Sequence, residues 1–118
     1  MKTPIESIVF FFVASLLGAT GQFLYKSGAA RAGTGMWSYL FNLRLLGGVA
    51  CYVAVMVLFI AAFKRGGALS VLYPIYASSF IFSAIGAWWI YGEPLRAVNF
   101  AGMALLVVGM CLMGWKPL

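Results

Sequence analysis

The stretch IVFFFVASLLGATGQFL, residues 8–24, contains no charged side chain and is the first of four such segments in this chain of 118 residues. The other three cover residues 45–63, 68–91 and 98–115. Each is close to the roughly 20 residues that an α-helix needs to cross a ~30 Å hydrocarbon core. None alternates like the strand of a membrane barrel, and only helices or closed barrels satisfy their backbone groups in lipid. The sequence therefore predicts an all-α integral membrane protein, a bundle of four transmembrane helices.

The composition provides few side chains that could act in catalysis or bind a metal. Hydrophobic residues make up 64% of the chain and charged residues 8%, far from the balance of a soluble domain. There is no histidine, and the only acids are Glu6 and Glu93, so we predict no enzyme activity, no metal and no cofactor. Cys51 and Cys111 lie inside predicted spans and are expected to be packing residues rather than a disulfide.

The net charge of +6 indicates contact with lipid headgroups rather than with nucleic acid, because the basic residues stand singly at the span ends. On one side fall Lys2, Lys64, Arg65 and Lys116, and on the other Lys26, Arg31, Arg44 and Arg96. Since Lys26 can lie embedded in the membrane, the bias slightly favours cytoplasmic termini. The near tie leaves open a second arrangement, in which copies insert both ways round and pair as an inverted dimer.

No connection is long enough to separate domains. Residues 1–118 are predicted to form a single domain with spans at about 5–26, 44–63, 68–91 and 96–115. The first connection, residues 26–44, is expected to be a loop in which Gly28, Gly33 and Gly35 break the helix.

Two polar residues near the end of the first span are candidate binding residues. Gln22 and Lys26 are four residues apart, so they project from one helical face. A lysine at that depth can bind an anionic headgroup such as a lipid phosphate, or it can simply extend to the interface. The amide of Gln22 favours binding, because an amide within a span needs a partner that lipid does not offer.

The third span contains Pro74, which removes a backbone donor and frees carbonyl groups one turn earlier. Such a break is tolerated where neighbouring helices or a cavity satisfy the freed groups. We predict that Tyr76, Ser78 and Ser79 line a cavity there and that Pro74 acts as a hinge. The alternative is a kink without function, with the serine hydroxyls bonded to their own helix.

Small residues at regular spacing predict helix–helix seams. Ser79, Ser83 and Ala87 recur every four residues, and Gly102 and Gly109 lie seven apart on nearly one face of the fourth span. Ser83, Gly102 and Gly109 are therefore expected at seams, either within the bundle or between protomers.

Glu93 follows an aromatic belt at residues 88–91 that places it at the membrane interface. It is expected to cap the fourth helix or to pair with Arg96, and the alternative is contact with a cationic part of a substrate. Since the span count puts Lys26 and Glu93 on the same side, the two could bracket a zwitterionic headgroup.

The order of these features resembles the short four-helix members of the drug/metabolite transporter superfamily, the EamA-like proteins. The features that carry the resemblance are Gly21-Gln22-x-x-x-Lys26, Tyr73-Pro74, Gly92-Glu93-Pro94 and Gly102-x6-Gly109. The pattern is most similar to the paired small subunits of the aminoarabinose–phosphoundecaprenol flippase. A more distant resemblance is to the small multidrug resistance family, which depends on a glutamate in the middle of the first helix. Alignment on Lys26 puts Gly18 at that position.

The resemblance implies a flippase-type transporter in the bacterial cytoplasmic (inner) membrane. Its implied substrate is an anionic phosphate-bearing lipid or lipid-linked sugar of the polyprenyl-phosphate class, moved between leaflets. The substrate-binding residues are taken to be Lys26, Gln22, Glu93, Arg96, Tyr76 and Ser79. One four-helix protomer is thin for enclosing a path, so we expect a homodimer or a heterodimer with a related four-helix subunit.

Two other functions are also compatible with the sequence. One is a small multidrug-type exporter of amphipathic cations, although no acid stands in the first span to neutralise a cation or carry a proton. The other is a non-transporting membrane subunit that stabilises a partner enzyme.

Overall fold

A computed structural model describes residues 3–115, and every regular element in that range is helical. The helices are α1 (Ile5–Arg31), α2 (Met36–Leu40), α3 (Leu43–Arg65), α4 (Leu69–Tyr76), α5 (Ser78–Tyr91) and α6 (Ala97–Met113). Three units are long and apolar enough to cross a membrane: α1, α3, and α4 with α5 taken together. The fourth, α6, is a shorter apolar helix of 17 residues, about 25 Å long at 1.5 Å per residue. The predicted all-helical membrane bundle is confirmed, while Lys2 and Lys116 of the charge bias lie outside the described residues.

The first helix is longer than predicted. It continues through Gly28 to Arg31, so the expected loop at residues 26–31 was wrong. Gly28 is buried, and a Cβ placed on it would lie 2.9 Å from the side chain of Leu45 in α3. This glycine therefore allows close packing of two helices, and that packing outweighs its weak helix propensity. The helix ends at Arg31, where the next residue, Ala32, is extended, and α2 begins after Gly35, whose φ is 101°.

The start of α3 is fixed to the end of α1 by Asn42. Its side-chain oxygen accepts hydrogen bonds from the backbone N–H groups of Arg44 and Leu45, at 3.1 and 3.3 Å, and so caps the helix. Its amide nitrogen donates to the carbonyl oxygen of Gly28 at 2.8 Å. Farther along α3, Cys51 is a partly buried free thiol, as predicted, whereas Cys111 in α6 is free but exposed, so its predicted packing role is not seen within the protomer.

At the end of the bundle away from Asn42, α1, α3 and α4 pack closely together. Phe11 of α1 stacks on Phe59 of α3 with ring centroids 4.3 Å apart, and it forms a fully buried cluster with Ala62 and Leu72. The buried hydroxyl of Ser7 lies 2.9 and 2.8 Å from two carbonyl oxygens at the C-terminal end of α3. These contacts join the first half of α1 to the turn between α3 and α4.

The third span is broken close to Pro74, as predicted. α4 contains Pro74 and ends at Tyr76, and α5 begins two residues later at Ser78. The buried hydroxyl of Ser78 lies 2.9 Å from that of Ser15 on α1, and 2.8 Å from the carbonyl oxygen of Ile75. The break is thus held against α1 by a pair of hydroxyl groups. A hinge motion at this point stays a prediction.

The protein is flat, with principal extents of 54 × 38 × 18 Å. α1 lies at its centre, and α3, α4 and α5 all pack on it, whereas the backbones of α3 and α5 stay apart. A groove with α1 as its floor therefore opens between α3 and α5. α6 stands at the edge, mainly against α4, with none of its described residues buried.

The predicted glycine seam on α6 is not formed inside the bundle. Within residues 3–115, no other helix comes within 4 Å of a Cβ placed on Gly102 or Gly109. The other predicted place for this seam, between two protomers, stays a prediction.

Candidate functional site

The groove contains a cavity of about 330 Å³ near the middle of α1. Its lining residues are Gly18, Gln22, Tyr52, Tyr76, Ser79, Phe80 and Ser83. Gln22, Tyr76 and Ser79 were predicted as binding residues, and the structure brings them together here. Ser83, which was predicted at a seam, also faces this cavity. The lining is mainly apolar and includes aromatic rings, one amide and several hydroxyl groups, and none of the described residues that form it is charged.

Gln22 finds its hydrogen-bond partner on the neighbouring helix. Its amide nitrogen donates to the hydroxyl of Tyr52 at 2.5 Å, and that hydroxyl donates in turn to the carbonyl oxygen of Gly18 at 3.2 Å. Tyr52 also stacks on Tyr25, with ring centroids 5.2 Å apart. The network satisfies one N–H of the amide, which has a second N–H and an oxygen to offer to a ligand.

In the cavity wall, Gly18 of α1 lies against the side chain of Tyr76 from α4. A Cβ placed on Gly18 would overlap the hydroxyl of Tyr76 and lie 3.0 Å from the ring carbon that bears it. The ring of Tyr76 is held from behind by the edge-on ring of Phe59, at a centroid distance of 5.1 Å. The space that an acidic side chain at position 18 would need is therefore filled by a phenol.

Lys26 lies at the open end of the groove, one helical turn beyond Gln22 on the same face. Its ammonium is 3.6 Å from a carboxylate oxygen of Glu93 and 4.4 Å from the ring centroid of Tyr91. The side chains of Lys26 and Glu93 are 55% and 52% exposed, so an incoming ligand can reach both. The two charges are partners of each other, and there is no gap between them for a zwitterion to fill.

Two expectations about the loop before α6 need correction. Glu93 pairs with Lys26, and it neither caps α6 nor pairs with Arg96. The cap comes from Asn99, whose side-chain oxygen accepts from the backbone N–H of Arg96 at 2.8 Å. The reason is geometric: Glu93 lies three residues before the N-cap, close to the end of α1. Arg96 itself is exposed beside the same end of the bundle.

Tyr52 and Phe80 are the site residues that sequence reasoning missed. Phe80 is one of many aromatic residues in the spans, but Tyr52 stands out. Tyr52 is the only hydroxyl-bearing side chain in the predicted span at residues 45–63. A single hydroxyl in an otherwise apolar span could have indicated a site residue. Gly18 was noticed only as a missing acid, and its contact with Tyr76 depends on how two helices pack. No local pattern could have shown it.

Together the fold and the groove define a small multi-pass helical membrane protein with a mainly apolar cavity that carries amide and hydroxyl groups, and with a cation at the open end of the groove. Its similarity to known proteins narrows this class. The chain is 33% identical over 109 residues to "Probable 4-amino-4-deoxy-L-arabinose-phosphoundecaprenol flippase subunit ArnE" of Enterobacter sp. (strain 638), covering 92% of this chain and 96% of that protein. It is 29% identical over 110 residues to the protein of the same name from Sodalis glossinidius (strain morsitans), covering 87% and 92%.

The chain belongs to the family of the ArnE flippase subunits, and the resemblance stated above is confirmed. It is a multi-pass protein of the bacterial inner membrane. It is also 32% identical over 106 residues to the uncharacterized protein y4nH of Sinorhizobium fredii (strain NBRC 101917 / NGR234), covering 87% of this chain and 90% of that protein. No protein-family profile matches the chain, and no solved structure gives a significant match.

Proposed function

We propose that this protein is a flippase subunit that moves a polyprenyl-phosphate-linked sugar between the two leaflets. The observation that carries the proposal is the groove between α3 and α5, which has amide and hydroxyl groups in its cavity and Lys26 at its mouth. A groove open to the bilayer can shelter a polar headgroup while the hydrocarbon chain stays in lipid. Relatives that cover nearly the whole chain are named for a lipid-linked sugar cargo, which supports the same conclusion.

Lys26 binds the phosphate by exchanging one anionic partner for another. The present partner, Glu93, is 3.6 Å away, longer than the roughly 2.7–2.9 Å of a strong charge-assisted hydrogen bond. A half-exposed pair of this kind contributes only about 0.2–1 kcal/mol, so a phosphate displaces the carboxylate at small cost. Arg96, exposed at the same end, adds positive charge for an anionic headgroup. Glu93 then restores the pair when the headgroup leaves.

A second subunit completes the path. The protein is only 18 Å thick in one direction, and α6 presents an unburied face with Gly102 and Gly109 open to close approach. Small residues on such a face allow the backbones of two helices to come together. The partner is a second copy or a related four-helix subunit. Both termini lie in the cytoplasm in this arrangement, with Lys64 and Arg65 on that side.

The decisive experiment compares Lys26→Ala with Lys26→Arg in detergent-purified protein. The probe is farnesyl phosphate, and its binding is measured by calorimetry. The alanine variant is expected to lose binding while its helical content and unfolding midpoint stay unchanged, whereas the arginine variant keeps binding because a cation remains at the mouth. Equal binding by wild type and Lys26→Ala contradicts the proposed role.

Protein reconstituted into liposomes tests whether the chain instead exports cations. Proton-driven uptake of a cationic dye into proteoliposomes would support that function. The described structure gives a cation no acidic partner inside the cavity, since Tyr76 fills the space next to Gly18.

A further inference from the structure

We propose that the cavity is a sugar-ring subsite, separate from the phosphate position at Lys26, and that the headgroup enters the groove with its sugar foremost. This inference rests on the proposed function. It assigns Tyr52 and Ser79 to recognition of the sugar hydroxyls and Tyr76 to the ring face. Its ligand class is a single glycosyl ring that is bonded to a lipid phosphate.

The chemistry of the lining suits a sugar and not a phosphate. A phosphate needs cations or several backbone N–H groups, and none of the described residues that line the cavity is charged. A sugar ring presents hydroxyl groups at its edge and apolar C–H groups on its faces. The amide of Gln22 and the hydroxyls of Tyr52 and Ser79 are suited to that edge, and the rings of Tyr76 and Phe80 are suited to the faces.

The position of the cavity relative to Lys26 matches a glycosyl phosphate. Gln22 and Lys26 are four residues apart on α1, so they stand about 6 Å apart along the helix axis. The phosphate of such a lipid is bonded directly to the ring, so a headgroup of this size can reach from Lys26 to Gln22. With the phosphate at Lys26, the ring falls on Gln22 and on the cavity below it.

The cavity is large enough to accept one sugar ring. Its volume of about 330 Å³ is at the lower end of the ~300–1,000 Å³ typical of ligand cavities. Tyr76 closes one side of the cavity beside Gly18, and Phe59 packs on the ring of Tyr76.

The test measures binding of two probes, farnesyl phosphate and the same lipid carrying one pentose, to the protein in the oligomeric form in which it leaves the membrane. The pentose is expected to tighten binding about tenfold, as one or two additional hydrogen bonds would. Tyr52→Phe and Ser79→Ala should each remove most of that advantage, measured as the ratio of the affinities for the two probes. Tyr73→Phe is the matched control, because that exposed tyrosine lies outside the cavity lining.

The possible results separate the inference from the function on which it rests. Equal affinity for the two probes, with both dependent on Lys26, overturns the sugar subsite and leaves the phosphate site standing. A pentose advantage that survives both Tyr52→Phe and Ser79→Ala also overturns it. If neither probe binds, both proposals are wrong. A pentose advantage lost in the two cavity variants and kept in Tyr73→Phe supports the subsite.

Discussion

Replacing Gly18 by alanine should destabilise the protein through a single added methyl group. That methyl would overlap the hydroxyl of Tyr76 and lie 3.0 Å from the adjacent ring carbon. Phe59 packs on the ring at a centroid distance of 5.1 Å, so a shift of Tyr76 away from α1 also disturbs that aromatic contact. Either Tyr76 leaves its position or α1 and α4 move apart, and overpacking of this kind costs about 1–3 kcal/mol.

The assay is equilibrium unfolding in mixed micelles, with Gly47→Ala as the matched control. A Cβ at Gly47 would make only an ordinary contact, 3.4 Å from Leu24, so that variant should be at least as stable as wild type. Tyr76→Phe removes the overlapping hydroxyl, so the Gly18→Ala/Tyr76→Phe double variant should recover about 1 kcal/mol relative to additivity. If Gly18→Ala unfolds like Gly47→Ala, the close contact between α1 and α4 does not exist as described.

Four further outcomes are expected. Glu93→Gln should tighten farnesyl phosphate binding by up to about fivefold, because the carboxylate no longer competes for Lys26; weaker binding would show that Glu93 helps to hold the ligand. Ser7→Ala should lower the free energy of unfolding by about 1 kcal/mol, since a buried hydroxyl bond to the end of α3 is lost. Asn42→Ala removes the cap of α3 and should cost about 1–2 kcal/mol in the same assay. Gly109→Leu should weaken subunit association in crosslinking experiments without changing the unfolding midpoint, and unchanged association would exclude this face as the interface.

The helical bundle followed from the sequence because charge-free segments of this length have few alternatives in lipid. The break near Pro74 also followed, since a missing backbone N–H acts locally. The end of α1 did not follow: Gly28 was expected to stop the helix, but it sits under Leu45 where only a glycine fits. The role of Gly28 depends on its contact with α3, and the sequence of α1 alone does not reveal that contact.

The candidate site was predicted only where spacing along one helix brings residues together. Gln22 and Lys26 share a face by helical spacing alone, so their proximity needed no tertiary structure. The Lys26–Glu93 pair joins the end of α1 to the loop after α5, and the sequence indicated only that both lie on one side. Tyr52 reaches the cavity because α3 packs beside α1, which no pattern within α3 reveals.

The most direct measurement of the central claim is lipid translocation in proteoliposomes. A fluorescent short-chain prenyl-phosphate glycoside is placed in both leaflets, and a membrane-impermeant quencher reports how quickly the protected fraction becomes accessible. The protein, reconstituted with any subunit that copurifies, should accelerate this exchange, and Lys26→Ala should return it to the rate of protein-free vesicles. Exchange that is equally fast with Lys26→Ala would contradict the account.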